Sequence, residues 1–278
     1  MSVSDISALD PLAAGGKRLQ GKVCIVTGAG QGIGRASARR LAAEGGIIVV
    51  AERNESSAQE TFEQLTNAGV KALKVIVDLS KFEEAERLMQ ETVAAFGRID
   101  VIANVVGGTI WWQPFQEYTV DQIFLELERS LYTTLWCCKA VLPYMIEQKS
   151  GSIINFGSSV TAGGLYRVPY AVSKGGIVAL TTTLAAENGR YGIRVNGVTP
   201  GTTIITDRTT SRLTLRPGEV ADAIAGTDSR VEETRALQQG ALRRTGRAEE
   251  QAAAVAFLAS EDASFITGHM IDVSGGSH

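Results

Sequence analysis

Ser158, Tyr170 and Lys174 stand within the stretch GSSVTAGGLYRVPYAVSKGG (Gly157 to Gly176), in an order and spacing that hydride-transfer chemistry can use. Oxidising a secondary alcohol needs a base for the hydroxyl proton while hydride leaves the carbon. A tyrosine near its reference pKa of about 10 is too rarely ionised for that task. A lysine one helical turn away can lower it electrostatically. A serine can hydrogen-bond the same substrate oxygen and stabilise its changing charge. Alone, a Tyr-x-x-x-Lys spacing describes many ordinary helices with a surface lysine; it gains its meaning from a glycine-rich turn far upstream.

Positioning these three groups takes a strand end and a helix start. The run GSIINF (Gly151 to Phe156) is apolar and rich in β-formers, which puts Ser158 just past the C-terminal end of a strand. That is the end at which open α/β sheets bind ligands. After the Gly163-Gly164 break and the Pro169 start signal, Tyr170 onward has helical periodicity, with Ala171, Lys174, Ile177, Val178 and Leu180 in register. Tyr170 and Lys174 then share a face.

The upstream turn lies in VCIVTGAGQGIGRASARRLAAEGG, a buried strand, a glycine turn and a helix ending at Gly45-Gly46. Gly28, Gly32 and Gly34, with Gln31 and Ile33 between them, let the backbone pass close to a pyrophosphate that faces the helix N-terminus. Position 33 is Ile, so the turn is not a G-x-G-x-x-G match, and it carries weight only with the strand that follows. That strand, IIVVAE, ends on Glu52, about 20 residues beyond the glycines, where a carboxylate can accept bonds from the adenosine ribose hydroxyls and repel a 2′-phosphate. This points to NAD over NADP. Arg53 is the complication, since a guanidinium there can pair with a 2′-phosphate or simply face solvent.

A helix over Ser56 to Ala68 and the strand ALKVIVDL bring Asp78 and Leu79 towards the adenine. The helix from Lys81 to Phe96 leads to IDVIANV, with Asn104 and Gly107 at the point where the strand order turns. Trp111 and Trp112 follow from a glycine-rich turn. They can wall a flat or cyclic substrate or pack in a core or interface. A single helix is expected from Val120 to about Lys149, broken at Pro143. GIRVNGVTPG gives a sixth strand ending at Pro200 and Gly201, after which Thr202 and Thr203 can meet the nicotinamide carboxamide. Residues 206–240, with Arg208, Arg212, Arg216 and Arg230, suit a substrate lid or a solvated face. A helix over Glu249 to Ala259 and the strand HMIDV close the chain.

The fold class is therefore α/β, a single Rossmann-type, doubly wound parallel sheet with helices on both faces. Residues 1–20 form an N-terminal extension and 21–278 one domain, a size at which 44% hydrophobic residues can bury a full core. A net charge of -3 gives no basic footprint for nucleic acid or an anionic membrane. No apolar run reaches the roughly 18 residues of a spanning helix, and the start lacks a signal-peptide layout, so a cytoplasmic protein with a small-molecule substrate is expected. The three cysteines suit a reducing compartment as core residues, and no metal site is expected.

TGAGQGIG (Thr27 to Gly34), the Asn104 to Gly107 turn, Ser158, YAVSK (Tyr170 to Lys174) and RVNGVTPG (Arg194 to Gly201) resemble the short-chain dehydrogenase/reductase family, over roughly residues 20–276. The resemblance implies about seven parallel strands, a nicotinamide cofactor and commonly a homotetramer. Ser158 matches the family's catalytic serine, with Ser159 as the alternative, Tyr170 its acid/base, and Lys174 its tyrosine-activating, ribose-binding lysine. Two departures stand out. The family's N-N-A-G turn is Asn104-Val105-Val106-Gly107, and the helix asparagine that holds a relay water is Ser130. Within the family, GGTIWWQPFQEYT, RSLYTTLWCCKAVLPYM and LYRVPYAVSKGG resemble the cis-diol dehydrogenases of benzoate and toluate breakdown. That implies NAD-dependent oxidation of a ring diol carboxylate, loss of CO2 and a catechol product. Arg167, three residues before Tyr170, is the candidate for the substrate carboxylate, because guanidinium groups pair bidentately with carboxylates. The alternatives are a ring diol that keeps its carboxylate, as in a cumate-type dihydrodiol, reduction of a ketone or 3-oxoacyl thioester, and a nucleotide-binding regulatory protein without turnover.

Overall fold

The computed structural model describes residues 17–205 and 240–276, so the lid segment, except Gly240, and residues 1–16 lie outside the described residues. In chain order the site-bearing elements are β1 (Val23–Thr27), α1 (Gly32–Ala43), β2 (Ile47–Glu52), α2 (Glu55–Asn67), β3 (Ala72–Ile76), α3 (Phe82–Phe96) and β4 (Val101–Asn104). Then come α4 (Val120–Leu127), α5 (Thr133–Gln148), β5 (Gly151–Phe156), α6 (Val168–Asn188) and β6 (Ile193–Pro200). A short pair β7 (Thr203–Ile204) and β8 (Gly246–Arg247), α7 (Ala248–Ala259) and β9 (Met270–Val273) complete the described chain.

The main sheet has seven strands in the order β3-β2-β1-β4-β5-β6-β9, and all its pairings are parallel. The order reverses between β1 and β4. Every strand there points its C-terminal end to one edge, so the crevice above β1 and β4 is the expected ligand site. Side-chain alternation explains why helices cover both faces. Cys24, Val26, Ile48 and Val50 pack with α1, α2 and α7 residues such as Leu41, Leu65 and Val255. Val23, Ile25, Val49 and Ala51 pack on the other face with Leu88, Met89, Val141 and Met145 of α3 and α5. Burial on both faces is why these strands read as continuous apolar runs.

Four sequence expectations change. Leu19 is 1% exposed in the core, and Arg18 pairs with Glu44 and Asp262, so residues 18–20 belong to the domain rather than to an extension. The single helix over 120–149 is instead two helices joined by a turn of π-helix over Glu128–Tyr132, which inserts extra residues into the ladder. Pro143 does not break α5, because the buried Cys137, Cys138, Val141 and Met145 hold that helix on the sheet. The strand ALKVIVDL stops at Ile76, leaving Asp78 and Leu79 in the turn beyond it. The β7–β8 pair, unforeseen, ties together the two ends of the segment at 205 and 240 by parallel pairing of Thr203 with Gly246 and Ile204 with Arg247.

Candidate active site

A cleft of about 380 Å³ opens over the C-terminal ends of the strands and is lined by Ser158, Tyr170 and Lys174 together. β5 delivers Ser158, which follows the strand in extended backbone and starts a short 3-10 turn; its Oγ accepts from Val160 N at 3.2 Å. A hydroxyl that accepts there keeps its own hydrogen to donate. Ser159 lines the cleft too. α6 delivers the other two from one face, with Pro169 in its first turn. Lys174 is 2% exposed, and its Nζ donates to the Phe156 carbonyl at the end of β5 at 2.8 Å. The same ammonium lies 5.7 Å from the Tyr170 ring centre. Burial pulls the lysine down to about 8, with Glu126 opposing, so at neutral pH it is a desolvated cation beside a phenol.

The other half of the cleft is the glycine turn. Gly28 and Gly32 have φ of 62° and 54°, the left-handed region that favours glycine. A Cβ on Gly34 would run into the carbonyl of Gly28, and one on Gly32 would come within 2.9 Å of Ile205. Gln31 makes no side-chain cap and the first turn of α1 holds no carboxylate, as suits a helix start that faces an anion. Buried Arg35 shapes the turn from behind. Its Nε donates to the Gly30 carbonyl at 3.1 Å and to Thr61 at 3.0 Å, and its Nη1 pairs with Glu60 at 2.7 Å.

Glu52 ends β2 at the rim. One carboxylate oxygen accepts from Gly30 N at 3.1 Å; the other accepts from Arg53 N at 2.8 Å and Asn54 N at 3.0 Å. The carboxylate is thereby fixed in place with lone pairs left for hydroxyl donors. Arg53, Asp78, Leu79, Ile33, Gly107, Pro200, Gly201 and Thr203 line the same cleft. A dinucleotide fits these residues: a glycine-rich turn for a pyrophosphate, a fixed carboxylate for a ribose, and the Asp78-Leu79 turn beyond.

On the substrate side the sequence reading is half corrected. Trp112 lines the cleft, and the Arg167 guanidinium lies over its ring at 4.2 Å. Trp111 does not reach the cleft. It is 6% exposed in a small cluster with Ile110 and Tyr118. Ser130 is fully buried within the π-helical turn, where its Oγ donates to the Gly108 carbonyl and accepts from Gly108 N, both at 3.3 Å. It braces the Gly107-Gly108 turn from behind rather than lining the cleft. Asn104 likewise sits behind the wall at 1% exposure, donating to Asn155 Oδ1 at 2.9 Å and tying β4 to β5.

Several contributors escaped the sequence reading. Thr27 Oγ1 accepts from Val105 N at 2.9 Å and Val106 N at 3.3 Å, so β1 holds the turn that follows β4. Arg129 and Thr133 line the cleft beside Trp112. Glu126 is fully buried, and burial lifts its carboxyl to about 7 against the bonds from the Ile110 and Trp111 amides and the charges of Arg129 and Lys174. The signal available was the clustering of two carboxylates and an arginine in LELERS (Leu125 to Ser130). All three cysteines are buried and free, and burial pushes the Cys138 thiol up to about 12.

Known proteins resemble this chain in sequence and in fold. A family model described as short chain dehydrogenase matches residues 22–215. A 1,6-dihydroxycyclohexa-2,4-diene-1-carboxylate dehydrogenase of Acinetobacter baylyi is 42% identical over 260 residues, covering 94% of this chain and 97% of its own. The protein of that name from Pseudomonas putida is 44% identical over 267 residues, 94% of each chain. Among solved structures, NAD+-bound xylitol dehydrogenase superposes with a TM-score of 0.83 at 32% identity, covering 94% of this chain and all of its own.

Proposed function

Because the chain belongs to the short-chain dehydrogenase/reductase family and so to the oxidoreductases acting on CH–OH donors, we propose that it oxidises a cis-dihydrodiol carboxylate of the benzoate type, with NAD as oxidant, to a catechol with loss of CO2. The observation that carries this reading is the Arg167 guanidinium lying 4.2 Å over the Trp112 ring in the cleft that holds Tyr170. A flat apolar wall beside a cation is the complement of a flat ring bearing a carboxylate. The two relatives that carry the name of such a dehydrogenase support it.

In this mechanism Tyr170 takes the hydroxyl proton, and Lys174, anchored on the Phe156 carbonyl, stabilises the phenolate by its charge. Ser158 donates to the substrate oxygen as its C–O bond becomes a carbonyl. Arg167 holds the carboxylate, with Trp112 flanking the ring. Glu52 and the glycine turn would seat the dinucleotide, whose nicotinamide would supply the hydride acceptor. The oxidised hydroxyl neighbours the carbon that bears the carboxylate, so the product is a β-keto acid, which loses CO2 and tautomerises to the catechol. Ser130 acts on this centre through Gly108. Glu52 at the ribose position favours NAD over NADP. Assembly as a homotetramer belongs to the same reading, and the exposed Val120, Phe124 and Val172 on α4 and α6 support it.

The test is incubation of the purified protein with benzoate cis-1,2-dihydrodiol and either NAD or NADP, following reduced nicotinamide and catechol together. Catechol appearing in step with NADH is the expected result. Turnover of a carboxylate-free ring diol at equal kcat/KM would move the substrate class to the non-decarboxylating diols, and turnover with NADP alone would overturn the Glu52 argument. Light scattering reads the assembly.

A further inference from the structure

Glu126 is a buried ionisable group that the chemistry above leaves unused. It sits in the last turn of α4 with no exposed surface, and its two oxygens accept from the Ile110 amide at 2.9 and 3.1 Å. The segment it grips is also held at two further points. Thr109 Oγ1 donates to the Trp111 carbonyl at 2.9 Å, and Tyr118 OH bridges the Trp111 carbonyl at 2.9 Å and the Tyr166 carbonyl at 3.0 Å. Gln113 N donates to that same Tyr166 carbonyl at 3.0 Å. The backbone around Trp112 and the backbone around Arg167 are therefore laced to each other, and Glu126 fastens the lacing to α4.

We propose that Glu126 is a positioning residue for the substrate's carboxylate: by holding the Ile110 amide it sets where Trp112 stands, and so where Arg167 lies across the cleft. This rests on the carboxylated-diol reading. The groups facing Glu126 are Arg129 from the π-helical turn, Tyr118 from the loop before α4 and Lys174 from α6, with Arg167 reaching Tyr118 from the next loop. The carboxyl titrates near 7. As an anion it offers only acceptors to the amides; once protonated, one oxygen becomes a donor with no backbone acceptor called for there, and the grip on the segment loosens. Carboxylate recognition should then weaken as pH falls through 7, with Glu126 rather than the chemistry of Tyr170 as the cause.

The test compares wild type, Glu126→Gln and Glu126→Leu. Gln keeps one permanent acceptor oxygen and cannot titrate in this range; Leu has no acceptor. Expected for wild type is a KM for the carboxylated diol that rises several-fold from about pH 8 to about pH 6, with KM for NAD steady. Glu126→Gln should flatten that dependence, and Glu126→Leu should raise KM for the diol about tenfold across the range while leaving KM for NAD alone. A KM for the diol unchanged in Glu126→Leu, or a pH dependence of KM that survives in Glu126→Gln, overturns the proposal. A readout without substrate separates its failure from that of the functional reading. Tryptophan emission of the free protein should titrate with a midpoint near 7 in wild type and not in Glu126→Gln. If that titration is seen and no ring carboxylate is turned over, Glu126 holds the segment but the substrate assignment falls; if it is identical in both proteins, the role of Glu126 falls.

Discussion

The buried Lys174 ammonium is anchored beside Tyr170. It is fixed by the Phe156 carbonyl at 2.8 Å and so cannot follow the tyrosine; Tyr170 comes to it along α6. Burial lowers it to about 8, so it is charged below that value and loses its electrostatic effect above it. Lys174→Met removes the cation from beside the phenol, which makes the phenolate harder to form. The acid limb of kcat/KM should therefore move to higher pH, with kcat at neutral pH down by roughly a thousandfold. A pH profile measured with saturating cofactor checks it, and an unmoved limb would separate the lysine from the proton transfer. Arg167 is tested by its substrate dependence. Arg167→Ala should raise KM for a carboxylated diol at least about tenfold, from loss of a charged hydrogen-bonded pair, and leave a carboxylate-free diol almost unaffected. An equal loss on both substrates would mean that the guanidinium only props Trp112.

At the scale of elements, the strand ends and the glycine turn work as a frame. Thr27 of β1 holds the Val105-Val106 backbone after β4, Glu52 of β2 holds Gly30, and Arg35 of α1 holds the Gly30 carbonyl from below. The turn therefore has little freedom to accommodate a new side chain. Gly34→Ala places a methyl against the Gly28 carbonyl, where backbone must give way. Overpacking of this kind costs about 1–3 kcal/mol. A fall of several degrees in melting temperature is expected, with KM for NAD raised more than KM for the diol. Calorimetry and initial rates on one preparation check both, and a wild-type KM for NAD would mean that the turn does not contact the cofactor. The π-helical turn shows the same principle in reverse, since it is what carries Ser130 under Gly108 and Arg129 to the cleft.

At the scale of the molecule, a charge cluster around the buried Glu44 ties the start of the described chain to the end of α1 and to Asp262. Glu44 at the end of α1 meets Arg18 Nε at 3.1 Å and Arg40 Nε at 3.1 Å, and Arg18 reaches Asp262 at 2.9 Å. Arg18 holds the Glu44 carboxyl below the usual carboxylate range, with Arg40 adding to it. A depressed carboxyl stabilises the folded state above its unfolded value of 4.5, and that contribution is lost as pH falls through the folded value. Glu44→Gln should thus lower the melting temperature at pH 7, and the gap from wild type should close on acidification below about 4.5. A gap that stays constant with pH would assign the effect to packing alone. Among the described residues, no helix is long and apolar enough to cross a membrane.

What the sequence determined by itself is the ladder of strands and helices and the residues at strand ends: Gly28, Gly32, Gly34, Glu52, Ser158, Tyr170 and Lys174 all lie in the one cleft. These were legible because glycine and proline punctuation and apolar periodicity are local properties, and because the βαβ order forces strand C-termini to one edge. Tertiary structure alone decided between Trp111 and Trp112, since which of two neighbours turns inward is set by Ile110 and Tyr118 packed across the loop. It also decided that Ser130 and Asn104 stand behind the cleft wall, that Leu19 enters the core, and that Glu126 is buried beneath the Ile110 amide. In each case the outcome depends on how side chains pack in three dimensions, which no local sequence pattern records.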